Sequence, residues 1–392
     1  MQPTASPPTR VASRLRPFGG TIFTEMTILA RRHGAVNLGQ GAPDFDGPEF
    51  VKDAAVQAIR DGHAQYARMF GVPELNLAIA ARFGRASGLA VDADTEVTVT
   101  SGCTEAIAAT MLGLIEPGDE VILIEPYYDS YPAAVAMAGG VVRTVTLRAP
   151  RFELDIVALA AAVTTKTRAI LVNTPHNPTG RVFSRAELQA IAALCLARDL
   201  LCISDEVYER LVFEGRHISI ATLPGMRERT ITLSSLGKTY SLTGWKVGWA
   251  IASPALTAGV RAAHQFLTFA TATPLQYGAI AALNAHASYD VALVADYRRR
   301  RDMLVDGLRD AGFVTYVPEG AYFIMADHTR FGFDDDVAFC RWLVEEIGVA
   351  AIPPGSFYQS REDGRALARF AFCKRDETLR TAIERLQRLK TR

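Results

Sequence analysis

From about residue 95 to residue 255, short β-rich runs alternate with helical segments, and this alternation constrains the fold more than any other feature of the 392-residue chain. The runs fall at 95–100, 120–125, 141–147, 168–173, 201–204, 230–233 and 248–251. Between them lie stretches such as 184–198, whose apolar positions recur at steps of three and four, the spacing of one helix face. Strands alternating with helices predict an α/β fold: a mainly parallel sheet flanked by helices on both faces. Open sheets of this kind bind ligands beyond the carboxyl ends of their strands, so polar residues at those ends become candidates for chemistry. After about residue 290 the pattern changes to a charged helix (290–311), hairpin-like runs (313–327 and 349–358), a strand (367–373) and a last helix. That predicts a smaller α+β unit. The expected division is a large domain over 41–289 and a small one built from 1–40 with 290–392. The run Arg298–Arg301 within the charged helix reads as a solvated face.

Apolar residues make up 49% of the chain, ample for large cores, which excludes general disorder. Lys and Arg number 42 and Asp and Glu 42, and without a basic excess a nucleic-acid partner is not expected. Residues 262–289 carry no Asp, Glu, Lys or Arg, but Pro274, Gln265, Gln276 and Asn284 interrupt them. This segment reads as a buried helical region at a subunit contact or active site, so no membrane partner is expected. Five cysteines with no C-x-x-C pair point to reduced thiols and a cytoplasmic protein. No histidine spacing suits a metal. The first twenty-four residues contain Arg10, Arg14 and Arg16 with four prolines before residue 18, and read as a flexible arm, not a cleaved signal.

Chemistry gathers at the strand ends. Gly237-Lys238-Thr239 invites a phosphate-loop reading, but that motif needs glycine five residues before Gly237, where Thr232 stands. Lys238 instead follows a strand directly. Asp205-Glu206-Val207-Tyr208 ends a second strand, Asn173-Thr174-Pro175-His176-Asn177-Pro178 a third, and Ser101-Gly102-Cys103-Thr104 joins a fourth to an alanine-rich helix. An amine, a carboxylate, a phenol, an amide and a helix N-terminus then face one crevice. Those groups suffice to hold pyridoxal phosphate.

With these motifs, from Asn37-Leu38-Gly39-Gln40-Gly41 to Arg369-Phe370-Ala371-Phe372-Cys373-Lys374, the chain resembles a class I pyridoxal-phosphate aminotransferase over nearly its whole length. The nearest group is that of the kynurenine and glutamine transaminases, methionine aminotransferase and succinyldiaminopimelate aminotransferase. The resemblance implies the fold of aspartate aminotransferase and amino transfer from an L-amino acid to a 2-oxo acid. It implies that Lys238 forms the imine with the cofactor aldehyde and later shuttles the proton. Asp205 would pair with the pyridine nitrogen, and Asn177 and Tyr208 with the ring's phenolic oxygen. Tyr128 would stack on the ring. Gly102, Cys103 and Thr104 would offer backbone N–H groups to the phosphate, with Ser235 and Lys246 beside them, so Cys103 is not a nucleophile. Tyr66 resembles the tyrosine that reaches the phosphate from a partner subunit, which implies a homodimer with shared active sites. Arg369 would take the substrate carboxylate with its planar fork, helped by Asn177 and the backbone of Gly41.

The phenylalanine usual in the family after Gly41 is Ala42 here, which opens space near the substrate, and Phe23 and Phe269 are candidates for an apolar side-chain pocket. Methionine, glutamine or aromatic donors are therefore expected. A carbon–sulfur β-lyase is the alternative enzyme. A cofactor-binding regulatory domain would need an added basic DNA-binding module, for which the chain has neither room nor charge.

Overall fold

The computed structural model describes residues 10–391, so the first nine residues of the expected N-terminal arm lie outside it. Among the described residues, a seven-stranded sheet forms the centre of the molecule. Its strands are β1 (Val97–Thr100), β2 (Glu120–Glu125), β3 (Val141–Thr146), β4 (Thr167–Asn173), β5 (Leu201–Asp205), β6 (Thr230–Ser235) and β7 (Gly248–Ile251). They lie in the order β1-β7-β6-β5-β4-β2-β3. Only β7 runs against its neighbours. The near-continuous burial of β2, β4 and β5 is that of strands covered on both faces, as parallel strands joined by helices require.

On one face, Ile203, Ile231 and Leu233 pack with Ile107 and Met111 of helix Gly102–Leu114 and with Val260 of helix Pro254–Leu267. On the other, Ile122, Ile170 and Cys202 pack with Leu188 and Ile191 of helix Arg185–Arg198. That helix starts as its sequence dictates. Ser184 accepts from the Glu187 N–H at 3.2 Å while Glu187 accepts from the Ser184 N–H at 2.8 Å, a reciprocal cap. A second sheet, β10-β9-β8, holds β8 (Val314–Tyr316), β9 (Phe323–Asp327) and β10 (Leu367–Ala371), all antiparallel. Its core of Leu304, Leu308, Phe339, Phe370 and Leu379 lies beside the large sheet. No helix among the described residues is long and apolar enough to cross a membrane.

Three expectations need correction. The run 349–358 is not a hairpin: Val349–Ala350 pairs in parallel with Val36–Asn37, and the chain then turns through a short 3₁₀ helix. Pro353 and Pro354 lack the N–H groups that a returning strand would need. The charged helix expected from 290 starts earlier, at Ala287, and runs as one element of 25 residues to Ala311. The arginine run is a solvated face only in part, with Arg298 and Arg299 exposed. Arg301 is buried and donates to the Pro318 carbonyl at 3.1 Å, Arg300 lies over the Phe45 ring at 4.4 Å, and Arg299 pairs with Asp376. Their long side chains cover apolar surface while their guanidinium groups find oxygen partners. Residues 262–289 form helices as expected, with Phe266 and Phe269 at the surface of the single chain.

Candidate active site

The ends of β1, β4, β5 and β6 meet on one line. Asn173 is in register with Asp205, Asp205 with Leu233, and Gly248 with both Thr100 and Ser235. Adjacent strand ends therefore deliver their last side chains into one cavity of about 180 Å³. Ten of the residues expected from the sequence line it: Gly102, Cys103, Thr104, Tyr128, Asn177, Asp205, Tyr208, Ser235, Lys238 and Lys246.

Lys238 sits in the one-turn helix Leu236–Thr239 that β6 runs into. Its ammonium lies 5.7 Å from the centroid of the Tyr208 ring and 5.8 Å from that of Tyr322. Burial lowers its pKa, since an ammonium loses hydration there, although the carboxylate of Asp205 partly opposes the shift. More of the lysine is thus free amine at neutral pH than in water. Asp205 is buried at the end of β5, and burial raises its pKa. Against that, Tyr131 donates to its Oδ2 at 2.7 Å and the Val207 N–H to its Oδ1 at 3.2 Å. Burial pushes the Tyr128 phenol up to about 12, so it stays neutral, and its ring meets that of Tyr131 edge-on. Burial likewise raises the pKa of Cys103 well above the usual thiol value, so it remains a thiol and offers no nucleophile.

One end of the cavity is built from backbone. Gly102 opens its helix at φ +78°, a left-handed conformation natural to glycine. A Cβ there would stand 3.3 Å from the Lys246 Nζ, and a Cβ on Gly248 would lie 2.5 Å from the Gly102 carbonyl carbon. The close approach of these chains leaves the first-turn N–H groups of the helix open to an anion, with the Lys246 ammonium 3.5 Å from Thr104 Oγ1. A helix N-terminus, a hydroxyl (Ser235) and a cation on one wall, with a buried carboxylate and a lysine on the others, fit pyridoxal phosphate.

Arg369 lies on β10, buried at 2% exposure. It donates to Asn177 Oδ1 at 3.1 Å and to the Gly39 carbonyl at 2.7 Å, and its Nε has no partner. Both acceptors are neutral. Desolvation depresses its pKa to about 10, and the group remains a cation near neutral pH. The rings of Phe323, Phe23 and Phe357 surround it at 4.3, 5.0 and 5.3 Å. The Gly41 carbonyl is taken by the Tyr322 hydroxyl at 2.7 Å, so of this loop's oxygens it is Gly39's that holds the guanidinium. The Ala42 carbonyl accepts from Lys374 at 2.6 Å. Tyr66 stays out of its own chain's cavity, 85% exposed with its ring edge against Phe269 at 5.3 Å.

Sequence reasoning missed Tyr131, Asn173 and Tyr322. Asn173 could have been found from the register of strand ends, since it stands beside Asp205. Buried tyrosines such as Tyr131 and Tyr322 give no sign that separates them from core. A larger cavity of about 430 Å³ lies elsewhere, lined by Glu206, Glu209, Arg210 and His217. No lysine lines it, so its size does not make it the reaction site.

The sequence pattern described as aminotransferase class I and II matches residues 34–386. The chain is 49% identical over 391 residues to a probable N-succinyldiaminopimelate aminotransferase of Mycobacterium tuberculosis, covering 97% of this chain and 98% of that protein. It is 42% identical over 378 residues to methionine aminotransferase of Escherichia coli, covering 96% and 98%. Its fold matches a solved aspartate aminotransferase mutant of Thermus thermophilus with a TM-score of 0.89 at 34% identity, over 97% of this chain and 99% of the other. With a matching family pattern, relatives alike along their whole lengths and a cavity that fits the cofactor, this chain belongs to the class I and II aminotransferases and is an enzyme that moves amino groups with pyridoxal phosphate.

Proposed function

We propose that the enzyme transfers the amino group of an L-amino acid with a long unbranched or aromatic side chain (methionine, glutamine or an aromatic donor) to a 2-oxo acid. The observation that carries this reading is Arg369: a buried guanidinium with two neutral oxygen partners among three phenylalanine rings. Its fork suits a carboxylate, and the rings offer apolar surface beside it. The cations that line the cavity are Lys238 and Lys246, neither placed by this reading at a substrate side chain.

When bound, pyridoxal phosphate supplies an aldehyde for the amino group and a protonated ring that accepts electrons released at the substrate's α carbon. Asp205 would pair with the ring nitrogen and keep it protonated. Asn177 and Tyr208 would donate to the ring's phenolic oxygen, and Tyr128 would lie against the ring. Gly102, Cys103, Thr104, Ser235 and Lys246 would seat the phosphate. Lys238 would hold the cofactor through its amine and, once free, would move the proton at the substrate's α carbon. A lysine with a lowered pKa suits that base role. Tyr66, exposed beside Phe269, would complete a second copy's phosphate site in a homodimer, and the small domain (1–40 with 290–392) would bring Phe23 and Arg369 to the cofactor held by 41–289. The free cysteines are consistent with a reducing cytoplasm.

The similarity to a methionine aminotransferase supports this donor class, and the similarity to an aspartate aminotransferase names its rival. Kinetics with methionine, glutamine, phenylalanine and aspartate as donors, and pyruvate or 2-oxoglutarate as acceptor, separate the two. Burying apolar side chain gains about 25 cal/mol per Å². Methionine should exceed aspartate in kcat/KM by roughly tenfold or more, a factor worth about 1.4 kcal/mol. Aspartate equal to methionine would point instead to a dicarboxylate enzyme. Scoring ammonia from cysteine conjugates in the same assay reads out β-lyase chemistry.

A further inference from the structure

Asp205 is the buried carboxylate on which the ring nitrogen depends, and its surroundings are uneven. The charged and titratable groups facing it are Lys238 from the one-turn helix after β6, Cys103 from helix Gly102–Leu114, Tyr131 from helix Ser130–Met137, Tyr128 just before that helix, and Glu206 and Tyr208 beside it in the chain. The short hydrogen bond it accepts is from Tyr131, whose hydroxyl meets Oδ2 at 2.7 Å. Oδ1 accepts from the Val207 N–H at a longer 3.2 Å, and the Cys103 thiol, a weaker donor, also lies within reach of the carboxylate. Tyr131 is 2% exposed and its ring is wedged edge-on against Tyr128 at 5.7 Å between centroids. A phenol held this firmly has one orientation, and so has the carboxylate it grips.

We propose that Tyr131 is a positioning residue of the reaction: its hydroxyl fixes the plane and ionised form of Asp205, which leaves Oδ1 as the oxygen with capacity for the cofactor's ring N–H. The inference rests on the assignment of Asp205 to the ring nitrogen. Physically, a buried carboxylate is charged only as far as donors replace its lost water, and hydrogen bonds to charged groups are the strong ones. Without the hydroxyl, Asp205 can turn, and its neutral form gains. The cofactor ring then loses the partner that keeps its nitrogen protonated.

The test compares two ligands on one variant. Full-length apoenzyme, wild type and Tyr131→Phe, is titrated with pyridoxal phosphate and with its 1-deaza analogue, in which CH replaces the ring nitrogen. Phenylalanine keeps the ring and its packing. We expect the dissociation constant of pyridoxal phosphate to rise about tenfold in Tyr131→Phe, a factor worth about 1.4 kcal/mol. That of the deaza analogue should change less than twofold. Combining Tyr131→Phe with Asp205→Ala should add nothing to Asp205→Ala alone, since the hydroxyl acts through the carboxylate. Equal weakening of both ligands would show a packing role and overturn the proposal, as would no weakening of either. If Asp205→Ala itself fails to discriminate between the ligands, the assignment of Asp205 falls. If Asp205→Ala discriminates and Tyr131→Phe does not, only the inference about Tyr131 falls.

Discussion

Replacing Lys238 by alanine should cut kcat by at least a hundredfold to ten-thousandfold, the range typical for loss of a positioned general acid or base. The expectation comes from the absence of a substitute on the same wall. Lys246 is turned toward Thr104, with its ammonium against Gly102, a position suited to the phosphate. The phenols of Tyr208 and Tyr322 are near, but burial raises the pKa of each well above its usual value, so neither becomes a base at neutral pH. The variant should still bind cofactor through the phosphate end, because Gly102, Thr104, Ser235 and Lys246 are untouched. Steady-state kinetics with the donor panel, alongside a cofactor titration, measure both parts. In the wild type, borohydride should fix the cofactor to the peptide containing Lys238, and label on Lys246 would reverse the assignment. A Lys238→Ala enzyme keeping more than about a tenth of wild-type kcat would also remove Lys238 from the base role.

The second large effect is expected at Arg369. Arg369→Lys keeps a charge but loses the planar fork, whose two terminal nitrogens reach Asn177 and Gly39 separately. It also loses the flat guanidinium against Phe23, Phe323 and Phe357. Hydrogen bonds to charged groups contribute roughly 1.5–3 kcal/mol. Losing one to a substrate carboxylate should lower kcat/KM about tenfold to a hundredfold, with cofactor absorbance little changed because no assigned cofactor contact involves Arg369. Kinetics over one donor and one acceptor measure it. Full activity in Arg369→Lys would place the carboxylate elsewhere.

Much of this site could be read from the sequence because strand ends are legible. A β-rich run stops where polar residues begin, and Asp205, Lys238 and Thr104 each sit within a few residues of such a stop. The sheet then aligns these ends, as the register of Asn173, Asp205 and Ser235 with their neighbours shows. The sequence is silent where a role depends on which buried partner a side chain meets. Tyr131 looks like any core tyrosine until Asp205 is placed 2.7 Å from it. The arginine run misled for a related reason: charge suggested solvent, while the length of the side chains lets Arg301 lie buried beneath Phe213 and Pro318. The hairpin expected at 349–358 failed because apolar runs do not reveal their partner, and Val349 pairs with Val36 more than three hundred residues away.

Arg369 bears on endurance as well as on catalysis. Its two hydrogen-bond acceptors are neutral and its Nε is unpaired, so the resting chain keeps a cation in its interior half matched. Sequestering a cation under such conditions opposes folding. On the proposed assignment of Arg369 an arriving carboxylate would make good the deficit, and any ligand that binds only the folded form adds stability in step with its occupancy, about 2.7 kcal/mol at a hundred times its dissociation constant. Amino and oxo acids at saturating concentration should therefore raise the enzyme's melting temperature, as substrate and scaffold at once.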